Sequence, residues 1–198
     1  SPLRGEYLDL IAQAPLAPNI QTAFDIGTGS GVIAAILAKR GISNIIATDT
    51  NPKAIACATA NLKRLGLNKA VNIQSIDLFP KSCADLIVCN PPWLPAKPTS
   101  AIETALYDPN HAMLTAFLNG VRKHLNPNGE AWLIISDLAE HLHLHDKDFL
   151  NQCFQTTSLN VVDILKTKPQ HKKAIDETDP LAFARNKETT YLYRLKTI

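Results

Sequence analysis

The stretch Asp25-Ile26-Gly27-Thr28-Gly29-Ser30-Gly31 follows an apolar run at 22–26 and leads into a helix-compatible segment, so it marks a tight strand-to-helix turn. Gly27, Gly29 and Gly31 lack side chains, which lets the backbone turn sharply and approach a ligand closely. Two later blocks belong with it. Asp49 ends the next apolar run, and Asn90-Pro91-Pro92-Trp93 follows Leu86-Ile87-Val88-Cys89 about forty residues beyond that acid.

Working outward, residues 22–26, 45–48, 71–76, 84–89 and 131–135 are short runs rich in β-branched or other apolar residues. Several are apolar at consecutive positions, as expected when helices cover both faces of a parallel sheet. Between them lie helical patterns. Asn51 can cap a helix starting at Pro52, with Ile55, Ala58, Leu62 and Leu65 along one stripe and Gly66 just past its end. Met113, Ala116, Phe117, Gly120, Val121, His124 and Leu125 recur at helical spacing before Asn126-Pro127-Asn128-Gly129 turns the chain into the fifth strand. Strands at 161–166 and 191–195 close the chain. The alternation predicts a doubly wound α/β sheet.

Ligands of such sheets bind beyond the carboxyl ends of the strands. A dinucleotide site is the obvious rival, because it also uses glycines after the first strand and an acid about 20 residues on. That fingerprint wants glycine or alanine where this chain has Val32, whereas the third glycine here is Gly31. The order and spacing instead resemble the class I S-adenosylmethionine-dependent methyltransferases. Asn90-Pro91-Pro92-Trp93 resembles the branch of that family, the small-domain and HemK-like enzymes, that acts on the planar amino nitrogens of glutamine, adenine or guanine. The resemblance extends over most of the chain.

It implies a mostly parallel seven-stranded sheet with the last strand antiparallel, and S-adenosyl-L-methionine as cofactor. It further implies that Gly27, Thr28, Gly29 and Gly31 form the cofactor loop, with Asp25 favouring the charged methionine end. Asp49 and Thr50 are expected at the ribose, and Asp77 and Leu78 at the adenine. Pro2-Leu3-Arg4-Gly5-Glu6 loosely resembles the segment that lies over the methionine end in glutamine-modifying relatives, which adds Arg4 as a cofactor-side candidate.

The chemistry explains the third block. An amide or nucleobase amino nitrogen has its lone pair spread into a π system and attacks a methyl group poorly. As it attacks, its hydrogens become better donors, and the Asn90 side-chain oxygen and Pro91 carbonyl are expected to accept them more strongly in the transition state. Pro91 and Pro92 offer no competing N–H and hold their φ fixed. Trp93 offers a flat face for stacking. No general base is required. Tyr107 and Asp108, after the loop that follows Trp93, are expected at the substrate entrance, and residues 168–187 form a second candidate lid.

Composition bounds the alternatives. With 198 residues, 45% hydrophobic and 19% charged, the chain suits one domain, 1–198, whose first twenty residues form a helix or lid. A net charge of +2 does not by itself announce nucleic acid, although Lys166, Lys168, His171, Lys172, Lys173, Arg185 and Lys187 gather late in the chain. Cys57, Cys83, Cys89 and Cys153 show no paired spacing and read as small buried thiols of a reducing compartment, the cytoplasm. No apolar run is long enough for a membrane. His141, His143 and His145 read as a solvent-facing helix rather than a metal site, since no ligand set of familiar spacing completes them.

The expected substrate is a glutamine amide in a protein of the translation apparatus, or alternatively an adenine or guanine amino group in RNA or DNA. The reading from another class is a non-catalytic methyltransferase-like subunit that binds a partner. Ser1 is not an initiator Met, so substrate selection is expected to come from a recognition domain before residue 1, from a protein partner, or from the two loops themselves.

Overall fold

The computed structural model describes residues 5–93, 108–168, 184 and 186–198. Arg4, Tyr107 and most of the basic segment from Lys168 to Lys187 lie outside them. Seven strands form one sheet in the order β3-β2-β1-β4-β5-β7-β6. They are β1 (Thr22–Ile26), β2 (Asn44–Asp49), β3 (Val71–Ser75), β4 (Ala84–Cys89), β5 (Leu125–Ser136), β6 (Leu159–Thr167) and β7 (Thr190–Thr197). The first five run parallel, and β7 is antiparallel to both of its neighbours, as the resemblance implied.

The strand order reverses between β1 and β4, and this places the carboxyl ends of both at one crevice. Those two strands are the driest part of the sheet: Ala23, Ile26, Leu86, Ile87, Val88 and Cys89 are fully buried. Their consecutive apolar residues are explained by the helices on both faces. Among the described residues the α-helices are α1 (Glu6–Gln13), α2 (Val32–Lys39), α3 (Pro52–Arg64), α4 (Ala112–Val121), α5 (Leu138–His141) and α6 (Phe149–Thr156). At the foot of the sheet Asp85 accepts from the backbone N–H groups of Gln21 and Thr22 and from Asn126 Nδ2 at 2.9–3.1 Å, locking β1, β4 and β5 in register.

The α3 boundaries follow their local chemistry. Asn51 Oδ1 accepts from Lys53 N at 2.9 Å, Pro52 occupies the first turn, and Gly66 takes φ 70° past the end. The expected stripe is shorter than its periodicity predicts. Ala58 and Leu62 are buried, but Leu65 is 41% exposed, because the helix ends at Arg64 and Leu65 has already turned from the sheet.

Other expectations shift in informative ways. No helix joins β3 to β4, so residues 76–83 carry the chain back across β2 and β1 without one. The Asn126-Pro127-Asn128-Gly129 turn lies inside β5 as an irregularity. Pairing jumps from Ala84↔Leu125 to Leu86↔Glu130, with Asn128 at φ 63°. Cys89 is buried, but Cys57 and Cys83 are exposed. The three histidines do not share a helix: α5 stops at His141, and His145 turns back to pack on His111 and Phe149, with ring centroids 5.1 and 4.8 Å away.

Candidate active site

The crevice opens into a cleft of ≈ 770 Å³, a size suited to a cofactor or small substrate. Gly27, Thr28, Gly29, Asp49, Thr50, Asp77, Leu78, Asn90 and Pro92 all line it. Four separate segments that the sequence singled out are therefore brought to one place. A second hollow, ≈ 740 Å³, lies against β2, β3 and the end of α3, and no carboxylate or histidine lines it.

The glycine loop is held by acids beneath and beside it. Asp25 is fully buried, and its Oδ2 accepts from Thr28 Oγ1 at 2.6 Å and from Ala34 N at 3.1 Å. Its Oδ1 is buried with no hydrogen-bond partner. Burial pushes this carboxyl up to about 6, although the bonds from Thr28 and Ala34 pull the other way. Asp25 thus stands under the loop rather than in the lining of the cleft, and the Thr28 hydroxyl is spent on it.

Asp49 plays a comparable part from β2. Its Oδ2 accepts from Gly29 N and its Oδ1 from Asn51 N, both at 2.9 Å. It does not cap α3, a task Asn51 performs. A carboxylate oxygen accepts more than one hydrogen bond, so both oxygens retain capacity toward the cleft.

The glycines divide into two kinds. Gly27 and Gly29 line the cleft with φ 70° and 57°, and a Cβ built on Gly29 would meet nothing within 4 Å. Gly31 is not a lining residue: at φ 80° it starts α2, and a Cβ there would lie 3.1 Å from Ala58 Cβ. The expected ligand contact for Gly31 is therefore corrected to close packing of α2 against α3.

On the far side, Asn90 directly follows β4. Its Oδ1 accepts from Trp93 Nε1 at 2.9 Å. Trp93 is 5% exposed, belongs to the hydrophobic core and meets Tyr7 edge-on, with ring centroids 6.5 Å apart at 86°. It does not line the cleft. The stacking face expected of Trp93 is corrected to an inward role, in which its N–H orients the Asn90 amide. Pro91 is buried beside it, while Pro92 reaches the lining.

Asp108 is corrected as well. It is 4% exposed, and its two oxygens accept from Met113 N at 2.9 Å and Leu114 N at 3.0 Å, which caps the first turn of α4. The substrate-entrance role proposed for it does not fit that geometry. Tyr107 and Arg4 fall outside the described residues.

Tyr7 and Met113 line the cleft without having been singled out for it. Met113 read as one position of a helical stripe, yet its Cε lies 2.5 Å from where a Gly27 Cβ would be. Tyr7 carries no motif, and only its place at the start of an amphipathic helix before the first strand could have drawn notice to it. Among the described residues, no three His, Cys, Asp or Glu side chains gather as metal ligands.

Comparison with known proteins agrees with this architecture. The chain is 34% identical over 139 residues to the release factor glutamine methyltransferase of Cereibacter sphaeroides, a match covering 63% of this chain and 50% of that protein. It is 31% identical over 133 residues to the tRNA1(Val) (adenine(37)-N6)-methyltransferase of Cytophaga hutchinsonii, covering 63% and 56%. The chain spans about half the length of the curated relatives it matches. Among solved structures, a SAM-dependent methyltransferase from Thiobacillus denitrificans in complex with S-adenosyl-L-homocysteine superposes with a TM-score of 0.67. It is 15% identical, and the match covers all of this chain and 93% of that one, a likeness of fold. The profile described as methyltransferase small domain matches residues 9–164, and the chain belongs to that family.

Proposed function

We propose that this chain is an S-adenosylmethionine-dependent N-methyltransferase acting on a planar amino nitrogen, with a glutamine side-chain amide of a translation-apparatus protein as the favoured substrate. One observation carries the reading. Asn90, its amide fixed by Trp93, shares a single cleft with the open backbone of Gly27 and Gly29 and the carboxylate of Asp49.

The residues present fit the cofactor. Gly27 and Gly29 leave room for a ligand to approach the main chain, Asp49 retains acceptor capacity for ribose hydroxyls, and Asp77 and Leu78 flank the place of an adenine edge. The orphaned Asp25 Oδ1 is the mark of an acid whose charge a cationic group would satisfy. When bound, S-adenosylmethionine supplies an electrophilic methyl group on a sulfonium.

The chain's own part is to grip and align the acceptor. An amide oxygen has two lone pairs, so Asn90 Oδ1 can hold the Trp93 indole and still accept from the incoming nitrogen. With the Pro91 carbonyl it forms a pair of acceptors that bind more tightly as positive charge grows on that nitrogen. Holding the reacting atoms in line accounts for much of the remaining acceleration.

The glutamine reading is supported by the release factor glutamine methyltransferase named above and by a similar, 30% identical relative from Geobacter sulfurreducens. The Cytophaga relative and the basic residues Lys166, Lys168 and Lys187 favour the second reading, an adenine amino group in RNA. A silent, partner-binding subunit is the third reading. Tritiated methyl transfer onto total RNA and onto a release-factor and ribosomal-protein fraction separates them. Label confined to protein is expected, label confined to RNA overturns the glutamine assignment, and no label in either favours the silent subunit.

A further inference from the structure

We infer that Met113, on helix α4, is the specificity-determining wall of the cleft at the point where a methyl group would pass from donor to acceptor. The inference rests on the cofactor reading given above and extends it to a residue on another element.

The sheet fixes where that point lies. Strand β1 pairs with β4 through Ile26↔Cys89, so the next residues, Gly27 and Asn90, leave the sheet side by side, and both line the cleft. Asp49 ends β2 and Asp77 follows β3, on the opposite side of β1. On the cofactor reading the nucleoside end belongs with those two acids, which leaves the reacting end to Gly27 and Asn90. Among the described residues, the atoms that a Cβ on Gly27 would meet belong to Met113, with Cε at 2.5 Å and Sδ at 3.8 Å. A Cβ on Gly29 meets nothing within 4 Å. The Met113 methyl thus fills the notch left by the missing Gly27 side chain, and whatever approaches Gly27 along that face touches it.

The anchoring of Met113 joins a fixed backbone to an adaptable side chain. Asp108 accepts from Met113 N at 2.9 Å and from Leu114 N at 3.0 Å, and Leu114 is fully buried, so the first turn of α4 is held in place. Met113 itself is partly buried, packed on the core and open to the cleft. An unbranched thioether with three rotatable bonds moulds to what it touches, and it carries no donor that would compete for Asn90 Oδ1. Because its methyl takes up the room beside Gly27, a group larger than methyl on the donor sulfur competes with it for space.

Met113 is the single methionine of the 198-residue sequence, so carbon-13 labelling of methionine methyls gives one signal that reports on this wall alone. The whole chain is titrated with S-adenosylmethionine while that signal is followed by NMR. Calorimetry then gives affinities for S-adenosylmethionine and its S-ethyl analogue in the unaltered protein, Met113→Leu and Met113→Ala. Neither readout needs the acceptor substrate. The methyl signal is expected to move on binding. The unaltered protein should prefer the methyl donor, and Met113→Ala should shift that preference about tenfold toward the ethyl analogue. Met113→Leu, close in volume, should shift it by less than about threefold. Taking the ratio of two affinities on one preparation cancels any loss of folded protein. Saturable binding with an unmoved methyl signal overturns the inference and leaves the cofactor reading standing, as does an unchanged preference in Met113→Ala. Absence of binding in all three proteins overturns the cofactor reading and the inference with it.

Discussion

The two loops that meet at the cleft are built on opposite plans. In the glycine loop the side chains serve the backbone: Asp25 and Asp49 accept hydrogen bonds from Thr28, Ala34, Gly29 and Asn51, and Gly27 and Gly29 present bare main chain to the cleft. After β4 it is the side chain of Asn90 that lines the cleft, held by Trp93, which in turn packs edge-on against Tyr7 of α1. A backbone site is specified by local residues and tolerates change in proportion to backbone strain. A side-chain site depends on a single group and on partners brought from elsewhere in the fold.

The sharpest break in that comparison is Asn90→Ala. If the amide is the working part, turnover is expected to drop by about 10²–10³-fold or more, while cofactor affinity stays within a few fold because the glycine loop is untouched. Near-normal turnover in a steady-state assay would show that the second loop, too, works through its backbone.

Next comes Asp25→Asn. Both bonds to Asp25 Oδ2 can be kept by an amide oxygen, but the charge is removed. The native carboxyl is raised from 3.8 to about 6, so the folded protein binds the extra proton between those values. Wild-type stability from this group is thus gained as pH falls through 6 and absent above it. Asp25→Asn is expected to be more stable than wild type at pH 8, by an order-of-magnitude figure of about 3 kcal/mol, and to show no advantage at pH 4. His111 titrates with the opposite sign. Burial first, and His145 second, lower it to about 4, so protonation of the unfolded chain removes stability as pH falls below 6.5. Subtracting the two proteins' urea-unfolding curves across pH cancels that contribution. A difference that does not change with pH would mean Asp25 is neutralised by a partner.

The smallest effects separate the glycines. Gly31→Ala adds contact with Ala58 at 3.1 Å to the cost of φ 80°, so about 2–3 kcal/mol of stability should be lost. Gly29→Ala meets open space and should cost about 1–2 kcal/mol from its positive φ alone, with the larger change in cofactor affinity. Denaturant midpoints and calorimetry on the pair test this. Equal stability losses would dissolve the distinction between a packing glycine and a ligand-facing one.

Much of this was legible in the sequence because its signals are local. Consecutive apolar runs marked β1 and β4, and Asn51, Pro52 and Gly66 marked both ends of α3. The spacing of Asp25, Asp49 and Asn90 from their strands placed two of them at the cleft and the third directly beneath its loop. What was missed depends on contacts between distant segments. Trp93 has the composition of a stacking platform, but Tyr7 and the core draw it inward. Asp108 looks like a rim acid until α4 is seen to need a cap. Nothing near Tyr7 in the sequence reveals that it meets Trp93 and lines the cleft.

The return from β3 to β4 carries a consequence of its own. Without a helix in residues 76–83, the stretch holding Asp77 and Leu78 is fastened by the 2.7 Å bond from Thr48 Oγ1 to the Leu78 carbonyl, with Leu78 at φ 55°, and by Phe79, which stacks on Phe117 and His124. The end of the crevice bearing Asp77 is therefore fastened by a few side-chain contacts, whereas the end bearing Asn90 grows directly out of the fully buried end of β4. Under the function proposed above, slackening those contacts would loosen the hold on a spent cofactor while leaving the corner around Asn90 rigid, a division of labour suited to letting product go between turnovers.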